Sequence, residues 1–256
     1  MKLTKSELEE LLRAKKLGNT LCSAHDRGSD LAPTSISALD AELGGGLPRG
    51  ELSEIVGARS SGRTGTLCAA LAAATSRGEL AALVDTLDQF DPESAAAAGI
   101  DLSRLLWIRG RPGSRDEGAW RAVNRALKAL GLLLHAGGFG VVALDLGDLP
   151  ERTLRRIPFT TWIRLPRAIE GRPTACVLVG DRPIARSAGG MTLRLQPVEG
   201  GVRWSGSVAR DHNGHGGLLQ GLEVAVRVIG ARRPHGRRPR SLFISAGEAG
   251  TALFSA

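Results

Sequence analysis

From residue 51 onward the chain alternates short apolar runs with stretches rich in Ala or Leu, and no other feature restricts its fold so strongly. The runs 51–56 (ELSEIV), 80–85 (LAALVD), 104–108 (RLLWI), 140–145 (GVVALD) and 174–180 (TACVLVG) have strand length. Between them, helices are predicted near 63–77, 91–98, 116–135 and 151–169. Strands that are apolar on almost every residue are covered on both faces, so this order predicts an α/β fold with a mostly parallel sheet between helical layers. After residue 190 the helices stop. Three alternating segments, MTLRLQPV, VRWSGSVAR and LEVAVRVIG, predict an antiparallel extension of the sheet, with the Gly-rich DHNGHGG at 211–217 as a connecting loop.

Ahead of this core, residues 5–16 (KSELEELLRAKK) read as an amphipathic helix. Ser6 and Glu9 have capping-box spacing, and Leu8, Leu11 and Leu12 share a face. A linker at 18–34 follows. The expected organisation is therefore 1–33 as N-terminal helix and linker, 34–190 as α/β core, and 191–256 as antiparallel extension with a basic loop. An isolated helix this short is marginal in water, so it is expected to dock, on its own domain or on a partner.

Composition narrows the class. Hydrophobic residues make up 42% and aromatics 4%, without a tyrosine, so the core must be built from Ala, Leu, Val and Ile. No apolar run approaches the ~20 residues of a membrane helix, and the charged start lacks the apolar centre of a signal peptide; the expected location is the cytoplasm. Cys22, Cys68 and Cys176 are widely spaced without a CxxC pair, which points to reduced core thiols. His212 and His215 lack enough neighbouring ligands for a metal site. The net charge of +8, carried mostly by arginine, favours an anionic partner such as DNA or an acidic protein surface.

The segment Gly57–Thr64 (GARSSGRT) stands between a predicted strand and a predicted Ala-rich helix, where a phosphate-binding loop GxxxxGK[ST] would stand. Gly57 and Gly62 permit close backbone turns, amides at the helix start can cradle phosphates, and Thr64 has the hydroxyl that such loops place on magnesium. Arg63, however, replaces lysine. A broad planar guanidinium does not substitute for a slim ammonium. Three outcomes stay open at this point: nucleotide turnover, weak nucleotide or anion binding, and a loop kept for its shape.

The run TSISALDAELGGGLPRGELSEIVGARSSGRTGT, residues 34–66, resembles the entry to the RecA recombinase core. The resemblance continues through 83–110 and 140–149 and covers most of residues 34–232 in order. It implies a RecA-like fold, with Asp145 as the second magnesium-site carboxylate beside Thr64. It also exposes departures. The water-activating glutamate of the family matches Leu87, with Asp88 adjacent, and the base-stacking tyrosine matches Ser94. The mobile loop after the fifth core strand is cut short.

These combined losses, together with the run from ALDLGDL to MTLRL, resemble the ImuA group, degenerate RecA-like proteins of bacterial damage-induced mutagenesis. That resemblance implies a non-catalytic accessory factor in translesion synthesis that needs no cofactor, with residual ATP and magnesium binding at most weak. The implied partners are an inactive Y-family polymerase homologue (ImuB), an error-prone C-family polymerase, RecA itself and DNA. The alternatives are an active RecA-type ATPase or recombinase, and a damage-induced inhibitor of cell division.

Two stretches are candidate contacts with nucleic acid or protein. In ERTLRRIPFTTWIRLPRAIEGR, residues 151–172, Arg152, Arg155, Arg156, Arg164 and Arg167 surround Phe159 and Trp162, a mixture suited to phosphates and bases or to a binding hot spot. In ARRPHGRRPR, residues 231–240, Arg232, Arg233, Arg237, Arg238 and Arg240 crowd between prolines that bar a regular helix.

Overall fold

The computed structural model describes residues 30–111, 116–185, 190–205, 218–230 and 240–245. The predicted helix at 5–16, Cys22, the loop at 211–217 with its two histidines, and Arg232, Arg233, Arg237 and Arg238 lie outside them. The chain divides after Asp30 into two units, and the elements below belong to the second, Leu31–Ala256.

A two-stranded antiparallel ribbon, β1 (Leu31–Ala32) with β2 (Leu47–Pro48), encloses α1 (Ser37–Leu43). The main sheet takes β3 (Leu52–Val56), β4 (Leu80–Asp85), β5 (Leu105–Arg109), β6 (Phe139–Asp145), β7 (Ala175–Gly180), β8 (Thr192–Ser205), β9 (Leu218–Gly230) and β10 (Arg240–Ser245). Its order is β10-β9-β8-β3-β7-β6-β4-β5, with β8, β9 and β10 joined antiparallel and every other pair parallel.

The helices are α2 (Arg63–Ser76), α3 (Pro92–Ala97), α4 (Asp116–Ala136), α5 (Glu151–Leu154) and α6 (Phe159–Ile169). They fall into two layers, as the two hydrophobic clusters show. One joins α1, α2 and α3 to one face of the sheet through Leu39, Leu67, Leu71, Ile55 and Val177. The other joins α4 and α6 to the opposite face through Val123, Leu130, Trp162, Val142 and Leu178. The small residues of α2 and the branched residues of the strands supply most of this packing, and Trp162 is the aromatic buried within it.

Two predicted elements take a different form. The expected single helix over 151–169 is two helices, because Pro158 has no amide to continue the ladder and serves as the N-cap of α6. The segments MTLRLQPV and VRWS form one long strand, β8. It runs through Gly200 and Gly201 with register shifts against β9 instead of turning back.

The antiparallel strands are continuous with the parallel core. β8 pairs with β3 from Glu54↔Thr192 to Val56↔Arg194, and Val224, Val226, Leu242 and Ile244 enter the same cluster as Leu67 and Leu71. Glu54 fastens the junction. It is buried on β3, and its Oε1 accepts the backbone amides of Ile184 at 2.7 Å and Ala185 at 2.9 Å, while Oε2 accepts the Thr192 hydroxyl at 3.3 Å. The short β7–β8 connection is thus held by a carboxylate inside the sheet. Replacing Glu54 with Ala strands two amide donors in an apolar setting. Glu54→Ala is expected to lower the unfolding free energy by about 3 kcal/mol, read from the midpoint of urea unfolding, with Glu54→Gln losing less.

Candidate nucleotide site and basic face

The fully buried strand β3 ends at Val56, and the loop 57–62 leads into α2, whose cap residue Gly62 lies at φ 84°. The first turn of α2 contains no acidic side chain, so its partial positive charge faces the loop uncompensated. Arg63, the first residue of α2, is buried. Its Nη1 donates to the Gly57 carbonyl at 2.8 Å and its Nη2 to Asp148 Oδ1 at 2.8 Å. Arg59 Nε donates to the same carboxylate oxygen at 3.0 Å. The loop's own cation is therefore folded back on the loop and neutralised by a carboxylate from the turn after β6.

That turn is shaped to allow it. Asp148 lies at φ 62°, and a Cβ on Gly147 would lie 2.8 Å from Arg63 Nη2, so a side chain there would displace the guanidinium from its present place. On the other side β10 leans on the helix start: a Cβ on Gly62 would lie 2.6 Å from Ile244 Cδ1. A cavity of about 500 Å³ remains, lined by Arg59, Ser60, Arg63, Thr64 and Asp148 and, from the antiparallel strands, Val202 and Leu222. Thr64 is exposed in it.

Asp85 and Asp145 stand side by side at the ends of β4 and β6. Asp145 is half-buried, and its Oδ1 accepts the Gly147 amide at 2.7 Å. Burial pushes its pKa above the usual carboxylate value, against the Gly147 hydrogen bond and the charge of Arg63. Asp85 is buried and occupied. It accepts the amides of Gln89 and Phe90 and the indole of Trp107 at 3.0, 2.8 and 3.3 Å. Among the described residues no group of three or more His, Cys, Asp or Glu gathers as a metal site.

The loop fastened by Asp85 carries Leu87 and Asp88, the positions at which the resemblance would place a catalytic base. Leu87 packs against the α4 and α6 cluster. Asp88, at φ 57°, makes a bidentate pair with Arg109 at 2.8 and 2.9 Å, and Arg109 in turn lies over the Trp107 ring at 4.6 Å. Ser94 is part of the cap of α3, donating both its amide and its hydroxyl to Asp91. These residues have structural partners of their own.

In the basic stretch the arginines and the indole separate. Arg155, Arg156, Arg164 and Arg167 are exposed, whereas Trp162 is 4% exposed and sits in the core with Leu165 and Ile169. The expected contact by Trp162 is corrected by this burial, since helical spacing turns it toward the sheet. Phe159, 58% exposed, is the aromatic on the surface. Arg155 pairs with Glu151 and Arg156 lies over Trp120 at 4.7 Å, while Arg164 and Arg167 carry no ion pair among the described residues. Arg240 opens β10. Sequence reasoning missed Asp148 and Glu54. Asp148 had a signal, an acid directly after Gly147 and three residues past the end of β6, but nothing in the sequence showed that it meets Arg59 and Arg63.

The two aspartates near Arg63 have opposite linkage to pH. Asp145 binds its proton more tightly folded than unfolded, so ionising it opposes folding as pH rises through that window. Asp145→Asn is expected to raise the melting temperature at pH 7, with the gain vanishing below about pH 4. For Asp148, burial acts to raise the pKa, but the hydrogen bonds and charges of Arg59 and Arg63 outweigh it and the pKa is lowered. Its stabilisation is present at neutral pH and lost as pH falls through the folded pKa. Asp148→Asn should therefore destabilise by roughly 1.5–3 kcal/mol at pH 7 and by progressively less in acid.

Comparison with known proteins bears on the same segments. The sequence profile of the RecA N-terminal domain matches residues 15–146. Protein RecA of Acidothermus cellulolyticus is 32% identical over 182 residues, 70% of this chain and 44% of that protein. Protein RecA of Mycobacterium ulcerans is 31% identical over 181 residues, again 70% and 44%. Protein RecA of Francisella philomiragia is 35% identical over 124 residues, 48% of this chain and 31% of that protein. The chain spans less than half the length of these curated relatives. With the phosphate loop after β3, the carboxylates after β4 and β6, and a profile match over half its length, the chain belongs to the RecA N-terminal domain family.

Proposed function

We propose that this chain is a non-hydrolysing RecA-fold adaptor in bacterial damage tolerance. In this reading it holds an ImuB-type homologue of Y-family polymerases and works with an error-prone C-family polymerase, with RecA and with DNA. The observation that carries the reading is the Arg63 guanidinium bonded to Gly57 O and Asp148, which directs the loop's cation inward. Leu87 packed against the core, Asp88 bound to Arg109 and Ser94 in a helix cap support it. No cofactor is needed for such a role. Thr64 and Asp145 keep the chemistry for weak magnesium and ATP binding, which makes them vestiges of the site rather than working parts.

The second reading is an active RecA-type ATPase, favoured by the relatives named RecA and by the retained Thr64 and Asp145. Catalysis would then need a base, and the carboxylate nearest Leu87 in sequence is already held by a guanidinium. Radiolabelled-ATP turnover separates the two. Wild type, Arg63→Lys and Asp145→Asn are expected to release phosphate at the same background rate with and without magnesium. Magnesium-dependent turnover abolished by Asp145→Asn would establish the ATPase instead.

The exposed arginines that follow α5 give the adaptor a second kind of contact. Arg155 and Arg156 would add phosphate contacts without base readout. Binding to a single-stranded oligonucleotide is then expected to weaken log-linearly with salt, and an Arg155→Ala/Arg156→Ala double variant should flatten that slope by about 1–2. An unchanged slope would remove DNA from this face.

A further inference from the structure

Between α4 and α6, on the face turned away from the sheet, lies a groove of about 820 Å³, remote in sequence from the phosphate loop. Its apolar lining is Leu127, Leu132, Leu165 and Ala168. Leu132 is 73% exposed, the most exposed large apolar side chain among the described residues. It lies outside the stripe of Val123, Leu130 and Leu134 that α4 buries, at a position where a solvated helix face would ordinarily be polar.

Lys128, His135, Arg164 and Arg167 also line the groove, and no carboxylate does. The groove is therefore apolar at its centre and basic along its length.

Gly131 supplies a separate argument. It sits inside the 21-residue helix α4, where glycine is about 0.8–1 kcal/mol less favourable than alanine. The fold does not require it there, because a Cβ at Gly131 would meet nothing within 4 Å. A residue without a side chain in the wall of an open groove lets another backbone approach closely. Two helices pack at 8–10 Å, and the distance shortens where the contact residues are small.

We propose that this groove receives an amphipathic, acidic helix from a partner protein, its apolar stripe crossing Gly131 and lying on Leu127, Leu132 and Leu165. Glutamates and aspartates flanking that stripe meet Lys128, Arg164 and Arg167. The charge pattern selects this occupant. A second copy of a chain with net charge +8 would bring more positive charge to a basic rim. A nucleic acid would find phosphate partners but no Trp, Tyr or Phe ring among the lining residues on which to stack a base. The proposal deepens the adaptor reading and rests on it only in supposing a protein partner. Phosphate release would overturn that reading without touching the groove, and the experiment below tests the groove without nucleotide.

A display library of helix-forming peptides is selected on the full chain, and an enriched sequence is made with a fluorescent label and titrated by anisotropy. The recovered peptides are expected to carry Leu or Ile at i, i+3 or i+4, and i+7, flanked by Glu or Asp. Gly131→Trp fills the groove from a position with open space, so it should weaken binding more than tenfold at an unchanged melting temperature. Arg164→Glu/Arg167→Glu should do the same without touching α4. The proposal is overturned if no peptide is enriched, if the recovered peptides are not acidic, or if Gly131→Trp binds them as wild type does. It is equally overturned if a 20-nucleotide single strand displaces the peptide stoichiometrically, which would mark a nucleic-acid face. Sedimentation showing a wild-type dimer that Gly131→Trp dissolves would assign the groove to a second copy and overturn it as well.

Discussion

A buried guanidinium must be neutralised and hydrogen-bonded where it lies, because its desolvation is otherwise prohibitive. Arg63 meets that requirement with groups of its own fold: the carbonyl that begins the loop after β3 and a carboxylate from the turn after β6, two strands away in the sheet. The arrangement ties β3, α2 and β6 together at the C-terminal ends of the central strands. A lysine there would be free to reach outward to an anion. The forked, planar arginine reaches sideways and back, and Asp148 fixes it in that direction.

The surroundings have been reorganised consistently with that inward charge. Ile244 and Leu222 of the antiparallel strands lie over the start of α2, so part of the loop faces aliphatic side chains instead of open water. Glu54 uses a buried carboxylate to hold the start of the connection after β7. Asp85, which could have faced solvent with Asp145, spends its oxygens on the β4–α3 loop and on Trp107. Each is a charged group employed for structure. Arg164 and Arg167 of α6, which carry no ion pair among the described residues, border the apolar groove together with Lys128 of α4.

The parallel core was readable from residues alone because its strands are apolar at nearly every position and separated by helices of ordinary length. The bounds of β4 agree with the sequence reading to the residue, and those of β3, β6 and β7 to within one. The helix over 151–169 was misread as continuous because its apolar spacing carries across Pro158, and a missing amide leaves no mark on periodicity. The long strand β8 was misread because Gly200 and Gly201 look like a turn, yet a bulge uses the same residues. At the candidate site the sequence singled out Arg63, Leu87 and Ser94. It did not show the partners found there, since the Arg63–Asp148 and Asp88–Arg109 pairs join residues 85 and 21 positions apart. Trp162 illustrates the same limit: its neighbours are arginines in sequence, and core residues in space.

The central claim is that Arg63 is held by Gly57 and Asp148 and is not available to a nucleotide. Nitrogen-15 spectra of the arginine side chains, with Arg63 assigned by its loss in Arg63→Lys, test it directly. A pinned guanidinium rotates slowly about its Cζ–Nε bond and shows separate Nη signals. The account predicts that these signals are resolved in the wild type, collapse in Asp148→Asn, and stay unmoved when millimolar ATP and magnesium are added. An Arg63 that rotates freely in the wild type, or whose signals shift in saturable fashion with ATP, would contradict it.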